Sequence, residues 1–125
     1  MQSKTILILG GYGGVGQSLV RLLLKETQVD VIIAGRRKDK ADEYAASLQR
    51  EFPDKQVACR YADASNLESL LQAFQGVQLV IVLTTTPNFI KQIGQAALVS
   101  GCDYLDILVT VSTFHDLYEL TSSIQ

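Results

Sequence analysis

No CxxC spacing occurs in this sequence: Cys59 and Cys102 stand apart, with no histidine close to either, which excludes a sequence-local metal site and a redox pair. Both read as small buried hydrophobes. The single histidine, His115, falls on a short helical pattern without an evident carboxylate or serine partner, which argues against a general acid or base there. Uninterrupted apolar runs reach only about five or six residues, far short of a bilayer span, and the N-terminus lacks a signal-peptide layout. No membrane partner is expected, and a reducing cytoplasm is the default compartment. A net charge of −2 offers no electrostatic footprint for nucleic acid, so any anion site must be local. Internal repeats, low-complexity tracts and long linkers are absent. With 47% hydrophobic and 19% charged residues, the 125 residues fit one globular domain spanning 1–125.

What is present is an alternation of buried strands and amphipathic helices. Thr5 to Leu9, Val29 to Ala34 and Leu79 to Leu83 are nearly continuous Ile, Leu and Val, as in strands covered on both faces, and such strands pair in parallel. Between the first two, Val15, Leu19, Leu22 and Leu23 form an apolar stripe. A second helix starts near Asp39, buries Ala41, Tyr44, Ala45 and Leu48, and stops before Pro53. The more polar third strand, about Gln56 to Tyr61, suits a sheet edge. Ser65 and Glu68 have the spacing of a capping box for a helix with Leu67, Leu70, Leu71 and Phe74 inward and Gly76 as its stop. Pro87 opens a helix with Ile90, Ile93, Ala97 and Leu98 inward, ending at Gly101. A fifth strand follows at about Tyr104 to Leu108, then a stretch with Phe114, Leu117 and Tyr118 on one face, capped by Thr113 and Asp116. Right-handed crossovers convert this series into an α/β doubly wound, Rossmann-like parallel sheet, five strands in the order 3-2-1-4-5 with helices on both faces.

Gly11, Gly13 and Gly16 give GxGxxG directly after the first strand and at the start of a helix. Each glycine answers a steric demand of a dinucleotide-binding turn: Gly11 the tight bend, Gly13 the approach of backbone to a pyrophosphate, Gly16 the closeness of helix and strand. The first-turn N–H groups, carrying roughly half a positive charge, then face the phosphates. Tyr12, Gly14 and Val15 complete the loop. The competing interpretation is a tight turn in another α/β domain, with glycines serving packing alone.

An NAD-selective fold places Asp or Glu at the end of the second strand. Here Gly35 stands there, followed by Arg36 and Arg37, whose guanidinium groups suit the 2′-phosphate of NADP through charge-assisted hydrogen bonds. A solvated basic turn from Arg36 to Lys40 is the alternative. Asp63, just past the third strand, is placed either to accept from the adenine amino group or to build a turn. Thr84, Thr85 and Thr86 end the fourth strand on the crevice side, where hydroxyls meet a nicotinamide ribose or, at Thr86, cap the next helix. None of the five tyrosines begins YxxxK, so the tyrosine–lysine pair of short-chain dehydrogenases is absent.

Together GGYGGVG (Gly10 to Gly16), AGRR (Ala34 to Arg37), ADAS (Ala62 to Ser65) and Tyr104-Leu105-Asp106 resemble the NADP-binding domain of the saccharopine dehydrogenase family, over about residues 4 to 107. The segment Leu105 to Leu108 departs from the family's small hydroxyl residues after this Asp. The resemblance implies an oxidoreductase transferring hydride to or from an imine or carbonyl, with a second, substrate-binding domain beyond this one, so that the chain is expected to be the N-terminal part of a longer protein. No catalytic residue is assigned within it. A non-catalytic NADP(H)-sensing module is the alternative, and an open apolar edge at the fifth strand would allow a homodimer. Gly13→Val should abolish binding of both NADP and NAD in calorimetry, since the added side chain blocks backbone approach; retained binding would remove the loop from the account.

Overall fold

The computed structural model describes residues 4–10, 14–83 and 90–106. Five parallel strands, β1 (Thr5–Leu9), β2 (Asp30–Gly35), β3 (Val57–Tyr61), β4 (Leu79–Val82) and β5 (Asp103–Asp106), form one sheet in the order β3-β2-β1-β4-β5. They alternate with α1 (Gly14–Glu26), α2 (Lys38–Glu51), α3 (Leu67–Ala73) and α4 (Ile90–Ser100). This is the doubly wound order expected from the sequence, with β1 central and β3 at an edge.

The near-continuous apolar strands divide their side chains between two cores, because successive residues point to opposite faces. Leu7 and Leu9 of β1, Ile32 and Ala34 of β2, and Val80 and Val82 of β4 meet Leu70, Phe74, Ile93, Ala96 and Ala97 on the face of α3 and α4. Ile6, Ile8, Val31, Ile33 and Ile81 meet Val20, Leu24, Ala41, Ala45 and Leu48 on the face of α1 and α2. The register places Leu7 between Ile32 and Val80, and Leu9 between Ala34 and Val82, so rows of side chains run straight across the sheet. A polar residue in these rows would lose its water without gaining a partner, and the polar residues of the central strands, Thr5 and Asp30, stand only at the half-buried strand starts.

The helices rotate differently from the expected stripes at two places. On α1 the sheet-facing residues are Gly16, Val20 and Leu24, spaced four apart, while Leu22 is 56% exposed. Two residues turn a helix by about 200°, so Leu22 cannot share the face of Val20 and Leu24. On α4, Ile93, Ala96 and Ala97 are buried and Leu98 is 80% exposed, for the same angular reason. The expected capping box at Ser65 and Glu68 is also replaced. Because α3 starts at Leu67, Asn66 is its N-cap and accepts from the Ser69 N–H at 3.2 Å. The second helix begins at Lys38, one residue before Asp39. Gly76 and Gly101, with φ of 75° and 74°, turn the chain out of α3 and α4 as expected.

Both thiols are half-buried, not buried. Cys59 lies on the edge strand and its Sγ–H donates to Asp42 Oδ1; Cys102 Sγ–H donates to the Val77 carbonyl at 3.1 Å. Among the described residues no helix is long and apolar enough to cross a membrane. The two-core packing leads to a contrast in urea denaturation: Phe74→Ala, at a fully buried ring, should cost about 3–5 kcal/mol. Leu98→Ala should stay within about 0.5 kcal/mol, as for other surface substitutions.

Candidate dinucleotide site

Parallel pairing brings the carboxyl ends of all the strands to one edge of the sheet, and the sequence-predicted site residues that the structure describes lie along it. At the end of β1, Gly10 takes φ of 86°, a conformation that costs a side-chain-bearing residue about 1–2 kcal/mol, and its N–H donates to the Ala34 carbonyl at 3.0 Å. The chain therefore leaves the sheet at Gly10 while still tied to β2. The sequence assigns the tight bend to Gly11, which lies outside the described residues; Gly10, the first glycine after the apolar run, begins the turn. The helix α1 opens at Gly14 with no acidic residue in its first turn to occupy the N–H groups. Gly16 is buried. Gly11, Tyr12 and Gly13 lie outside the described residues, as do Thr84, Thr85, Thr86, Pro87 and everything after Asp106, including His115; of Val15 the helical backbone alone is described.

At the end of β2, Gly35 is buried and its carbonyl accepts from Ala62 N–H at 3.0 Å, holding the ends of β2 and β3 together. Arg36 and Arg37 follow immediately, both exposed. Arg37 is the N-cap of α2, with φ −98° and ψ 81°; it gives the helix no side-chain cap, and its carbonyl accepts from Ala41 N–H at 3.0 Å. A cationic side chain at this position opposes the helix dipole. Its guanidinium Nη2 stands 3.9 Å from Asp39 Oδ2, and Lys38 Nζ stands 3.6 Å from Asp42 Oδ2. No carboxylate takes the position after β2 that a ribose-diol acceptor would need.

Asp63 follows β3 after Ala62 and is a turn residue here. Its Oδ1 accepts from the Ser65 N–H at 2.9 Å and the Ser65 hydroxyl at 2.6 Å. Its own N–H donates to Ser69 Oγ at 2.9 Å, and its carbonyl accepts from Asn66 N–H at 2.9 Å. Of its two carboxylate oxygens, Oδ2 remains for any adenine contact. The Ser65 hydroxyl and N–H hold the Asp63 carboxyl below its ordinary value of 3.8, and the nearby Arg36 charge adds in the same direction. Arg60 ties the edge strand to the other end of α3, donating from Nη1 to the carbonyls of Ala73 at 2.6 Å and Gln75 at 2.7 Å.

Neither a neighbouring groove nor the two thiols belong to this cluster. A groove of about 590 Å³ along the free edge of β3 includes Lys38 and Tyr61 but none of Gly35, Arg36, Arg37 or Asp63. Burial, then Asp42, pushes the Cys59 thiol up, and burial, then Asp103, pushes up that of Cys102.

Residues 6–124 match the family described as the saccharopine dehydrogenase NADP binding domain. The chain belongs to that family. It is thus an NADP-binding Rossmann domain of an oxidoreductase family. Similarity to a curated protein, the human 3-keto-steroid reductase/17-beta-hydroxysteroid dehydrogenase 7, is 34% over 71 residues, 56% of this chain and 21% of the human enzyme. Among solved structures, saccharopine dehydrogenase (L-Glu forming) from Saccharomyces cerevisiae aligns with a TM-score of 0.67 at 20% identity, over 87% of this chain and 23% of the yeast enzyme. A short-chain dehydrogenase/reductase from Veillonella parvula in complex with NADP aligns with a TM-score of 0.64 at 23% identity, over 84% of this chain and 47% of that one. At these identities the likeness is one of fold, and the chain spans less than half the length of each.

The Asp63 turn carries its own test. A carboxyl with a lowered folded-state value contributes stability that is present above the ordinary range and is lost as pH falls through the lowered midpoint. In a carbon-detected NMR titration Asp63 should titrate below 3.8, and Ser65→Ala should move the midpoint upward toward that value while the backbone donor keeps it lowered. An unchanged midpoint in the variant would remove the hydroxyl as the main cause.

Proposed function

We propose that the carboxyl edge of this sheet holds NADP(H) for hydride transfer to or from an imine or carbonyl in a saccharopine-dehydrogenase-like oxidoreductase. The observation that carries this reading is the end of β2: a buried glycine followed by two exposed arginines, where an NAD-selective site has a carboxylate. Arg36 and Arg37 would hold the 2′-phosphate. The loop from Gly11 to Gly16, with Tyr12, Gly13, Gly14 and Val15, would take the pyrophosphate at the N-terminus of α1, which carries no first-turn acid to compete. Gly35 leaves room for the adenosine ribose, Asp63 would offer Oδ2 to the adenine edge, and Thr84 and Thr85 would meet the nicotinamide ribose. When bound, the nicotinamide supplies or accepts the hydride; the residues named here bind and orient it. The human steroid reductase and the yeast saccharopine dehydrogenase are oxidoreductases by name, which agrees with this class of chemistry.

The magnitude of the preference follows from the two guanidinium groups. Each charge-assisted hydrogen bond contributes about 1.5–3 kcal/mol before the loss of side-chain freedom, so a net 2–4 kcal/mol, about tens to a thousandfold in affinity, is expected for NADP over NAD. Titration calorimetry of the chain with both dinucleotides measures it directly. Arg36→Ala should remove its share of the difference, about half of it in free energy, while leaving NAD binding in place; equal affinities in the parent chain would contradict the assignment.

A further inference from the structure

Two of the cations at the β2–α2 junction have a carboxylate close by: Arg37 Nη2 lies 3.9 Å from Asp39 Oδ2 and Lys38 Nζ lies 3.6 Å from Asp42 Oδ2. These pairs differ in what a phosphate would meet. Lys38 and Asp42 sit one turn apart within α2, an i,i+4 arrangement that stabilises the helix itself. Arg37 precedes the helix as its N-cap, and Asp39 is the one acidic residue of the first turn, so their contact spans the junction itself. Both side chains are open to water, at 59% and 75% exposure, so the guanidinium can leave Asp39 without a buried charge being stranded.

We propose that Asp39 is a specificity-determining residue that limits the preference for NADP over NAD by competing with the 2′-phosphate for Arg37. The inference rests on the proposed binding of the 2′-phosphate by Arg36 and Arg37. A dianionic phosphate arriving at Arg37 would share its guanidinium with the Asp39 carboxylate, 3.9 Å from Nη2, and meet the repulsion of that charge. NAD, which has hydroxyls there, meets no such repulsion. The two effects add in one direction: removing the carboxylate charge frees the guanidinium and lifts the repulsion.

The same residue has an ordinary helical role, since an acid in the first turn is favourable to the macrodipole. Loss of that role would lower the thermal midpoint and, if it disturbed the site, would weaken both dinucleotides together. The two roles therefore predict opposite changes in the NADP affinity.

Asp39→Asn, compared with the parent chain by calorimetry at low salt, should tighten NADP by about three- to tenfold and leave NAD within about twofold, the scale of a screened charge at this range. The gain should shrink as salt is raised. In the Arg37→Ala background the same substitution should lose most of its effect, because the contested cation is gone. Unchanged or weakened NADP binding in Asp39→Asn, with a parent chain that still prefers NADP, would overturn the inference alone. A parent chain with no preference for NADP would instead overturn the assignment of the arginines on which it rests. A variant that proves less stable is read by its affinity ratio, which a structural defect does not raise.

Discussion

Parallel strand alignment is the constraint from which the candidate site follows. A strand buried on both faces can be only apolar, so it can offer a ligand nothing along its length; chemistry is confined to where the strands end. Because all five strands run the same way, those ends gather on one edge, and the residues after β1, β2 and β3 become neighbours despite wide separation in sequence. The bond from Gly10 N–H to Ala34 O and that from Ala62 N–H to Gly35 O hold the three ends in register. The basic turn at Arg36 and Arg37 is thus mounted on a hydrogen-bonded edge while its side chains remain in water.

The division of labour along that edge is electrostatic. Near the start of α1 an anion is favoured by backbone dipoles, whereas at the start of α2 the dipole would favour an acid and the chain instead presents two arginines and Lys38. That arrangement runs against helix stability at the N-cap of α2. Asp39 partly offsets it, and a bound phosphate would offset it further. On the proposed reading, the same local conflict that weakens the helix end would make it selective for an extra phosphoryl group.

Much of the fold was legible in the sequence because its strongest signals are periodic. Runs such as Leu79 to Leu83 and punctuation such as Pro53, Gly76 and Gly101 locate strands and helix ends without tertiary information. Helix rotation was less legible: Leu22 and Leu98 are as apolar as their neighbours, and only the angular position relative to Val20 or Ile93 decides which leucine faces water. The capping of α3 was misread for a related reason. Ser65 and Asn66 are both good N-caps, and the choice depends on Asp63, whose carboxylate captures the Ser65 hydroxyl and leaves the helix to Asn66. Within the site, the glycines and arginines were visible from composition and spacing, whereas the pairing of Arg37 with Asp39 and the double engagement of Asp63 appear only once side chains are placed.

The central claim is that two guanidinium groups after β2 hold the 2′-phosphate of a dinucleotide whose diphosphate rests on the glycine turn after β1. A crystal structure of the chain with NADP tests it most directly. The account predicts 2′-phosphate oxygens about 2.7–2.9 Å from guanidinium nitrogens of both Arg36 and Arg37, with the pyrophosphate at the N-terminus of α1. A 2′-phosphate pointing into solvent, or a dinucleotide bound elsewhere on the surface, would contradict it.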